Sequence, residues 1–144
     1  MTVPNSISLK FSILIIILLA FEASDTIAIS FAEVKVTIVN KVLAPTPTNI
    51  TFHCKSRDDD LGFHTLVSEG SYAFTFSPNF TPWFSKTLFF CSFTWPGNPQ
   101  LHYLDIYDQV RDNCYRCRWT INKDGGCLNT HKCYKWNSVK LMDA

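Results

Sequence analysis

The sequence predicts an all-β fold: a small antiparallel β-sandwich of about seven strands, stabilised by disulfides. Three observations predict it. After residue 33 apolar and polar residues alternate almost everywhere, the period of two that marks half-buried strands. Proline and glycine fall between the alternating runs, where a missing amide breaks no ladder. Six cysteines, an even number, share that same part of the chain: Cys54, Cys91, Cys114, Cys117, Cys127 and Cys133. In a small exported chain such a set reads as a disulfide framework.

The elements follow in order. Val34, Val36 and Ile38 alternate with Lys35 and Thr37. Ile50, Phe52 and Cys54 alternate with Thr51, His53 and Lys55. Tyr72, Phe74 and Phe76 alternate with Ala73 and Thr75. In residues 87–95 one face carries Phe89, Cys91, Phe93 and Trp95, and the other carries Leu88 and Phe90. Two apolar faces mark a strand central to its sheet. Residues 101–108 make a fifth strand. Cys117, Trp119 and Ile121 alternate with Arg116, Arg118 and Thr120, and Tyr134 with Trp136 marks a last short strand. Turn signals stand at Ala44-Pro45-Thr46-Pro47, Glu69-Gly70, Ser77-Pro78-Asn79, Pro96-Gly97-Asn98-Pro99 and Lys123-Asp124-Gly125-Gly126. This part shows no helical period and no repeat, and the tail after Trp136 lacks any pattern and is expected to be loose.

Residues 1–30 have the form of a secretory signal peptide. Lys10 precedes an apolar core at 11–21, and small residues follow at Ala23, Ser24, Ala28 and Ser30. Cleavage is expected between 23 and 30. A membrane span needs roughly 20 apolar residues, more than this core supplies. The remaining 31–144 suffice for one domain. Thirteen basic residues less Lys10 leave twelve, and twelve acidic residues less Glu22 and Asp25 leave ten, a net charge of +2. That is too little for a dedicated nucleic-acid binder. The sequons Asn49-Ile50-Thr51 and Asn79-Phe80-Thr81 agree with export and make Asn49 and Asn79 the expected glycosylation sites.

Pattern also sorts the cysteines. Cys54, Cys91 and Cys117 are in phase with inward apolar residues, and Cys127 and Cys133 flank a five-residue loop that they can close. Six cysteines allow fifteen pairings. The preferred one joins Cys127 to Cys133 and gives Cys54 and Cys91 each one of Cys114 and Cys117.

The stretch His53-Cys54-Lys55-Ser56-Arg57-Asp58-Asp59-Asp60-Leu61-Gly62-Phe63-His64 carries residue types that build metal and catalytic sites. Each such reading meets a physical objection. Cys114-x2-Cys117-x9-Cys127-x5-Cys133, with His131 nearby, resembles zinc-ligand spacing, but exported thiols pair with one another. An EF-hand loop starting at Asp58 would need a ligand at its fifth position and glycine at its sixth, where Gly62 and Phe63 stand. His53 and Cys54 are adjacent strand residues, so they point to opposite faces and cannot pair as base and nucleophile. No Gly-x-Ser-x-Gly elbow is present. The expectation is therefore no enzyme: no catalytic residue, no metal and no cofactor. The residues 56–62 read as an exposed acidic turn.

In its ordered motifs the chain resembles the plant self-incompatibility protein family, the S-protein homologues, over about 34–136. The resemblance is carried by Val36-Thr37-Ile38-Val39-Asn40, His53-Cys54-Lys55-Ser56, Asp58-Asp59-Asp60-Leu61-Gly62 and His64. It continues through residues 72–76, Asn79-Phe80 and Thr87-Leu88-Phe89-Phe90-Cys91. It ends with Arg111-Asp112, the Cys-x-x-Cys-x-Trp of 114–119, Gly125-Gly126-Cys127 and the Cys-x-x-Trp of 133–136. One departure is Pro82-Trp83-Phe84, where the family often carries glycine.

The resemblance implies a small exported β-sandwich with disulfides and a signalling role. In the family, a member secreted by the stigma acts as a ligand that lets pollen recognise self. The implied function is a secreted, extracellular ligand for a cell-surface receptor, in pollen–pistil recognition or related cell–cell signalling. It would act as a monomer, without nucleic acid and without membrane insertion after signal cleavage. The acidic turn, Arg57, Asp58, Asp59, Asp60 and Leu61, is the first candidate for receptor contact, and residues 96–100 are the second. The alternative is a secreted defence, antimicrobial or inhibitor protein. A net +2 and the lack of a basic amphipathic helix weigh against membrane disruption.

Overall fold

The computed structural model describes residues 5–22 and 32–137. They fall into two units, Met1–Ser30 and Phe31–Ala144. In the first, α1 (Ser6–Glu22) is apolar on every side, with its isoleucines and leucines exposed. Among the described residues no helix is long and apolar enough to cross a membrane. The expected cleavage window at 23–30 lies outside the described residues.

The second unit is a two-layer sandwich of nine described strands. They are β1 (Val34–Asn40), β2 (Ile50–Lys55), β3 (Asp60–Leu66), β4 (Ser71–Phe76), β5 (Leu88–Trp95), β6 (Asn98–Asp108), β7 (Arg116–Asn122), β8 (Gly125–Leu128) and β9 (Lys132–Lys135). One sheet has the order β4-β1-β7-β8-β9, the other β3-β2-β5-β6. The all-β, disulfide-bonded sandwich is as expected, and each expected strand is present. β1 and β7 are parallel neighbours, with Ile38 opposite Trp119, while the other named pairs are antiparallel.

Two strands escaped the alternation. β3 is an edge strand in which Phe63 is exposed while Leu61 and Leu66 pack on the core, so its apolar residues do not keep a period of two. β8 opens with Gly125-Gly126, which reads locally as a turn. Both glycines instead allow close packing. A Cβ on Gly125 would stand 1.9 Å from the Tyr134 carbonyl oxygen, and one on Gly126 2.7 Å from a Leu104 methyl.

The core lies between the sheets. Val34, Val36, Ile38, Trp119 and Ile121 meet Ile50, Phe52, Phe89, Phe93, Leu104 and Ile106. The expected central strand is β5, flanked by β2 and β6, with its odd-numbered residues buried. Each buried large side chain contributes about 1.5–3 kcal/mol.

The disulfides are Cys54–Cys91, Cys114–Cys117 and Cys127–Cys133. The last is the expected one, and the other two correct the preferred pairing. Cys54 and Cys91 stand directly opposite on neighbouring strands, whereas Cys114 and Cys117 belong to the β7 side of the other sheet. Alternation tells which cysteines point inward but not which strands are neighbours.

Connections gather at two ends. Phe76 of one sheet meets Phe89 and Tyr107 of the other at 4.6 and 4.8 Å between ring centres. That end carries residues 56–59, 77–87 and 109–115. At the opposite end Asn40 reaches from β1 to the carbonyl of Leu66 in β3, and residues 41–49, 67–70, 96–97 and 123–124 connect the strands. Of the tail expected to be loose, Asn137 is bound, its N–H donating to the Tyr103 carbonyl at 2.8 Å, and the rest lies outside the described residues.

Candidate functional site

The acidic turn follows directly from β2. Cys54 points inward into its disulfide, and His53 points outward. The Ser56 N–H donates to the Asp59 carbonyl at 2.8 Å, and the Ser56 hydroxyl accepts from the Asp59 N–H at 3.0 Å and the Asp58 N–H at 3.4 Å. This closes the turn in four residues, shorter than the expected 56–62, because β3 already begins at Asp60.

The three aspartates divide in role. Asp60 Oδ1 pairs with His53 Nε2 at 2.5 Å and accepts from the Gly62 N–H at 2.9 Å. The His53 hydrogen bond, followed by that of Gly62, holds the Asp60 carboxyl below its usual range. Gly62 takes a positive φ of 73°, which this local closure requires. Leu61 is half-buried and packs on the core. His64 Nε2 meets the Leu61 carbonyl at 2.7 Å while its ring packs against those of Phe52 and Tyr72, which also touch each other. Arg57, Asp58 and Asp59 are exposed, and the two carboxylates have no ion-pair partner among the described residues.

The turn forms one wall of a cleft of about 70 Å³, whose other wall is the β4–β5 connection, residues 77–87. Pockets for small-molecule ligands run to roughly 300–1,000 Å³, so this cleft suits a single side-chain head. The connection is held firmly. The Asn79 N–H donates to Thr87 Oγ1 at 3.0 Å, and Asn79 Nδ2 donates to the Ser85 carbonyl at 2.9 Å. Gln109 bridges it to the β6 end, donating to the Asn79 carbonyl at 2.8 Å and accepting from the Thr87 N–H at 2.8 Å. Lys86 pairs with Asp108 at 3.1 Å. At its tip Trp83 is 74% exposed and Phe84 85%. The sequence marks only Ser77-Pro78-Asn79 of this segment, as a turn. Its signal was a proline-bearing stretch with three large aromatics, Phe80, Trp83 and Phe84, outside any alternating pattern.

The second candidate, residues 96–100, is a shorter loop than expected. Pro96-Gly97 alone forms the turn, with Gly97 at φ 84°, and Asn98, Pro99 and Gln100 already belong to β6. A two-residue hairpin offers little surface. It also lies at the far end of β5 from the acidic turn, since Lys55 pairs with Phe90 and Trp95 with Asn98.

All six cysteines are disulfide-bonded, and among the described residues no group of three or more His, Cys, Asp or Glu could hold a metal. Asn49 and Asn79 are both exposed.

A family model described as plant self-incompatibility protein S1 matches residues 35–138, from β1 to beyond β9. The chain belongs to the plant self-incompatibility protein family. S-protein homolog 29 of Arabidopsis thaliana is 37% identical over 115 residues, 74% of this chain and 80% of that protein. S-protein homolog 5 of Arabidopsis thaliana is 44% identical over 105 residues, 70% and 76% of the two. A solved structure of SPH (Self-Incompatibility Protein Homologue) proteins, described as a widespread family of small, highly stable, secreted proteins from plants, shares the fold. Its TM-score is 0.52 at 19% identity, over 77% of this chain and 100% of that one.

Several motifs of this S-protein homologue fold hold the domain together. Asn40 is fully buried; its amide donates to the carbonyls of Thr48 at 2.7 Å and Leu66 at 3.2 Å, and its Oδ1 accepts from the Val42 N–H at 3.0 Å. Arg111 pairs with Asp112 through two contacts of 2.7 Å and lies over the rings of Tyr134 and Trp119. Asp112 Oδ2 in turn accepts from the Asp108 N–H at 2.9 Å. Burial works against the Arg111 charge, but Asp112 outweighs it and raises the pKa above its ordinary value.

Proposed function

We propose that this chain is a secreted, extracellular signalling ligand, exported by its first thirty residues and recognised by a cell-surface receptor through the acidic turn. The observation that carries this reading is the division within the turn. Asp60 is committed to His53 and Gly62, while the carboxylates of Asp58 and Asp59 stand exposed with no ion-pair partner among the described residues. Residues that the fold does not need, displayed on a stapled scaffold, are suited to recognition. Membership of a family whose SPH relatives are described as secreted supports export, as do the six paired cysteines and the exposed sequon residue Asn49. The ligand acts without metal, cofactor or catalysis, as a monomer.

Binding to plasma-membrane vesicles from pollen and from vegetative tissue tests the reading. Replacing Asp58 and Asp59 together by lysine is expected to abolish saturable binding while thermal unfolding stays unchanged. Unaltered binding by that folded variant would exclude the turn as the contact, and absence of saturable binding to any of these membranes would remove the ligand reading.

A further inference from the structure

We propose that the β4–β5 connection is a docking surface for a cationic, apolar-flanked segment of a protein partner. The Lys or Arg head of that segment enters the cleft beside Asp58 and Asp59, and its apolar flanks cover Trp83 and Phe84. The proposal rests on the acidic turn being a contact surface and adds the chemistry of what meets it.

Two large rings at the tip face water, at 74% exposure for Trp83 and 85% for Phe84, whereas Trp119 of the same chain is fully buried. Leaving such rings in water forgoes the hydrophobic gain of burying them. Exposed aromatics on an ordered segment are the residues that dominate protein interfaces when covered. The segment is ordered by its own hydrogen bonds, through Asn79, Ser85, Thr87 and Gln109. Little conformational freedom is therefore left to lose on docking.

Charge selects the partner. Asp58 and Asp59 line the cleft together with Arg57 and Lys86, and Lys86 is held by Asp108. Two carboxylates against one exposed guanidinium favour an incoming cation. The hydroxyl and carbonyl groups of Ser85 and Thr87 on the opposite wall can accept its hydrogen bonds. At about 70 Å³ the cleft admits one such head. The same carboxylates disfavour an anionic bilayer, which would otherwise suit an exposed tryptophan.

Two labelled synthetic peptides test this by fluorescence anisotropy, one alternating lysine with leucine and phenylalanine, the other with glutamate in place of lysine. The binder is the protein as expressed from the full chain in plant cells. The cationic peptide is expected to bind at least about tenfold more tightly than the anionic one. W83S/F84S is expected to lower that binding at least about tenfold with unfolding unchanged, and D58N/D59N to erase the preference for lysine. A Leu43→Ser control at the other end should bind as the unaltered protein does. Equal binding of the two peptides, or full binding by W83S/F84S, overturns the proposal. So does tighter binding to phosphatidylcholine vesicles containing phosphatidylserine that W83S/F84S abolishes, which would make the segment a lipid contact. The membrane assay keeps the two readings apart. If D58K/D59K loses cell binding while W83S/F84S keeps it, the ligand reading stands and this one falls. If peptide binding behaves as expected but no cell membrane is bound, this one stands and the ligand reading falls.

Discussion

The two ends of the sandwich are built on opposite uses of polar residues. At the end of the 41–49 connection, Asn40 is buried and its amide and carbonyl groups close backbone bonds to Thr48, Leu66 and Val42. The remaining connections there are short turns at 67–70, 96–97 and 123–124. At the other end Asp58 and Asp59 face solvent, and the longer 77–87 connection holds Trp83 and Phe84 in water. At the first end polar groups close the connections; at the second they close the 77–87 connection through Asn79 and Gln109 but leave Asp58 and Asp59 exposed. The difference runs through a single acidic triplet, where Asp60 is held by His53 and Gly62 while Asp58 and Asp59 stand exposed with no ion-pair partner among the described residues.

The comparison can be broken in order of expected effect. The largest concerns the displaying end, where Cys54–Cys91 closes a separation of 37 residues and Cys114–Cys117 one of only 3. On a chain-entropy estimate, Cys54→Ser with Cys91→Ser costs about 4 kcal/mol and Cys114→Ser with Cys117→Ser about 2 kcal/mol. Urea unfolding of the two double variants checks the ranking, and a reversed order would mean that native packing outweighs loop length.

At the closed end, Asn40→Leu leaves the Val42 N–H and the Thr48 and Leu66 carbonyls without their partner. The expected loss is about 2–4 kcal/mol, read from the same unfolding curves. The same replacement of Asp58 or Asp59 should fall within about 0.5 kcal/mol, as for ordinary surface positions. Similar losses at Asn40 and Asp59 would erase the distinction drawn between the ends.

Acid sharpens it further. His102 stacks on Trp95 at 4.5 Å and lies 5.2 Å from Trp136, with Nε2 buried. Burial lowers its pKa below the ordinary 6.5, so the folded state favours the neutral ring. Its contribution is complete above that value and is lost as pH falls from there through the lower folded pKa. Asp60 is also lowered, from an ordinary 3.8, but by its bonds to His53 and Gly62. The stability tied to its carboxylate is present above that value and is lost only in stronger acid, through its folded pKa. The melting temperature should therefore fall between pH 7 and 5, and His102→Gln should flatten that fall. Asp60→Asn should leave this window's His102-dependent slope in place and reduce the further decline below pH 4, to which Asp108, also lowered, contributes as well. The smallest effect is that of Asp58→Asn with Asp59→Asn, which should leave the melting curve unmoved.

Much of the fold was legible because alternation is local. Val34, Val36 and Ile38, or Phe89, Cys91, Phe93 and Trp95, declare their buried face in a single pass along the chain. β3 and β8 were not legible, since an edge strand with Phe63 outward and a strand opening on two glycines break that signal. The acidic turn was found from composition, but not the division within it. Asp60 is told from Asp59 only by a histidine seven residues back that the hairpin brings alongside. The exposure of Trp83 and Phe84 was not legible, because an aromatic ring carries the same hydrophobic signal whether or not anything packs over it.

From its own order of residues the chain determined the strands, their inward faces, the number of cysteines able to pair and the family to which it belongs. The tertiary structure decided which strands are neighbours. With that it decided the parallel meeting of β1 and β7, the partners of Cys54 and Cys91, the opposite placement of the two candidate loops and the cleft between the turn and the β4–β5 connection. Side-chain direction follows from each residue's own backbone, whereas adjacency between segments distant in sequence is set by how the whole core packs.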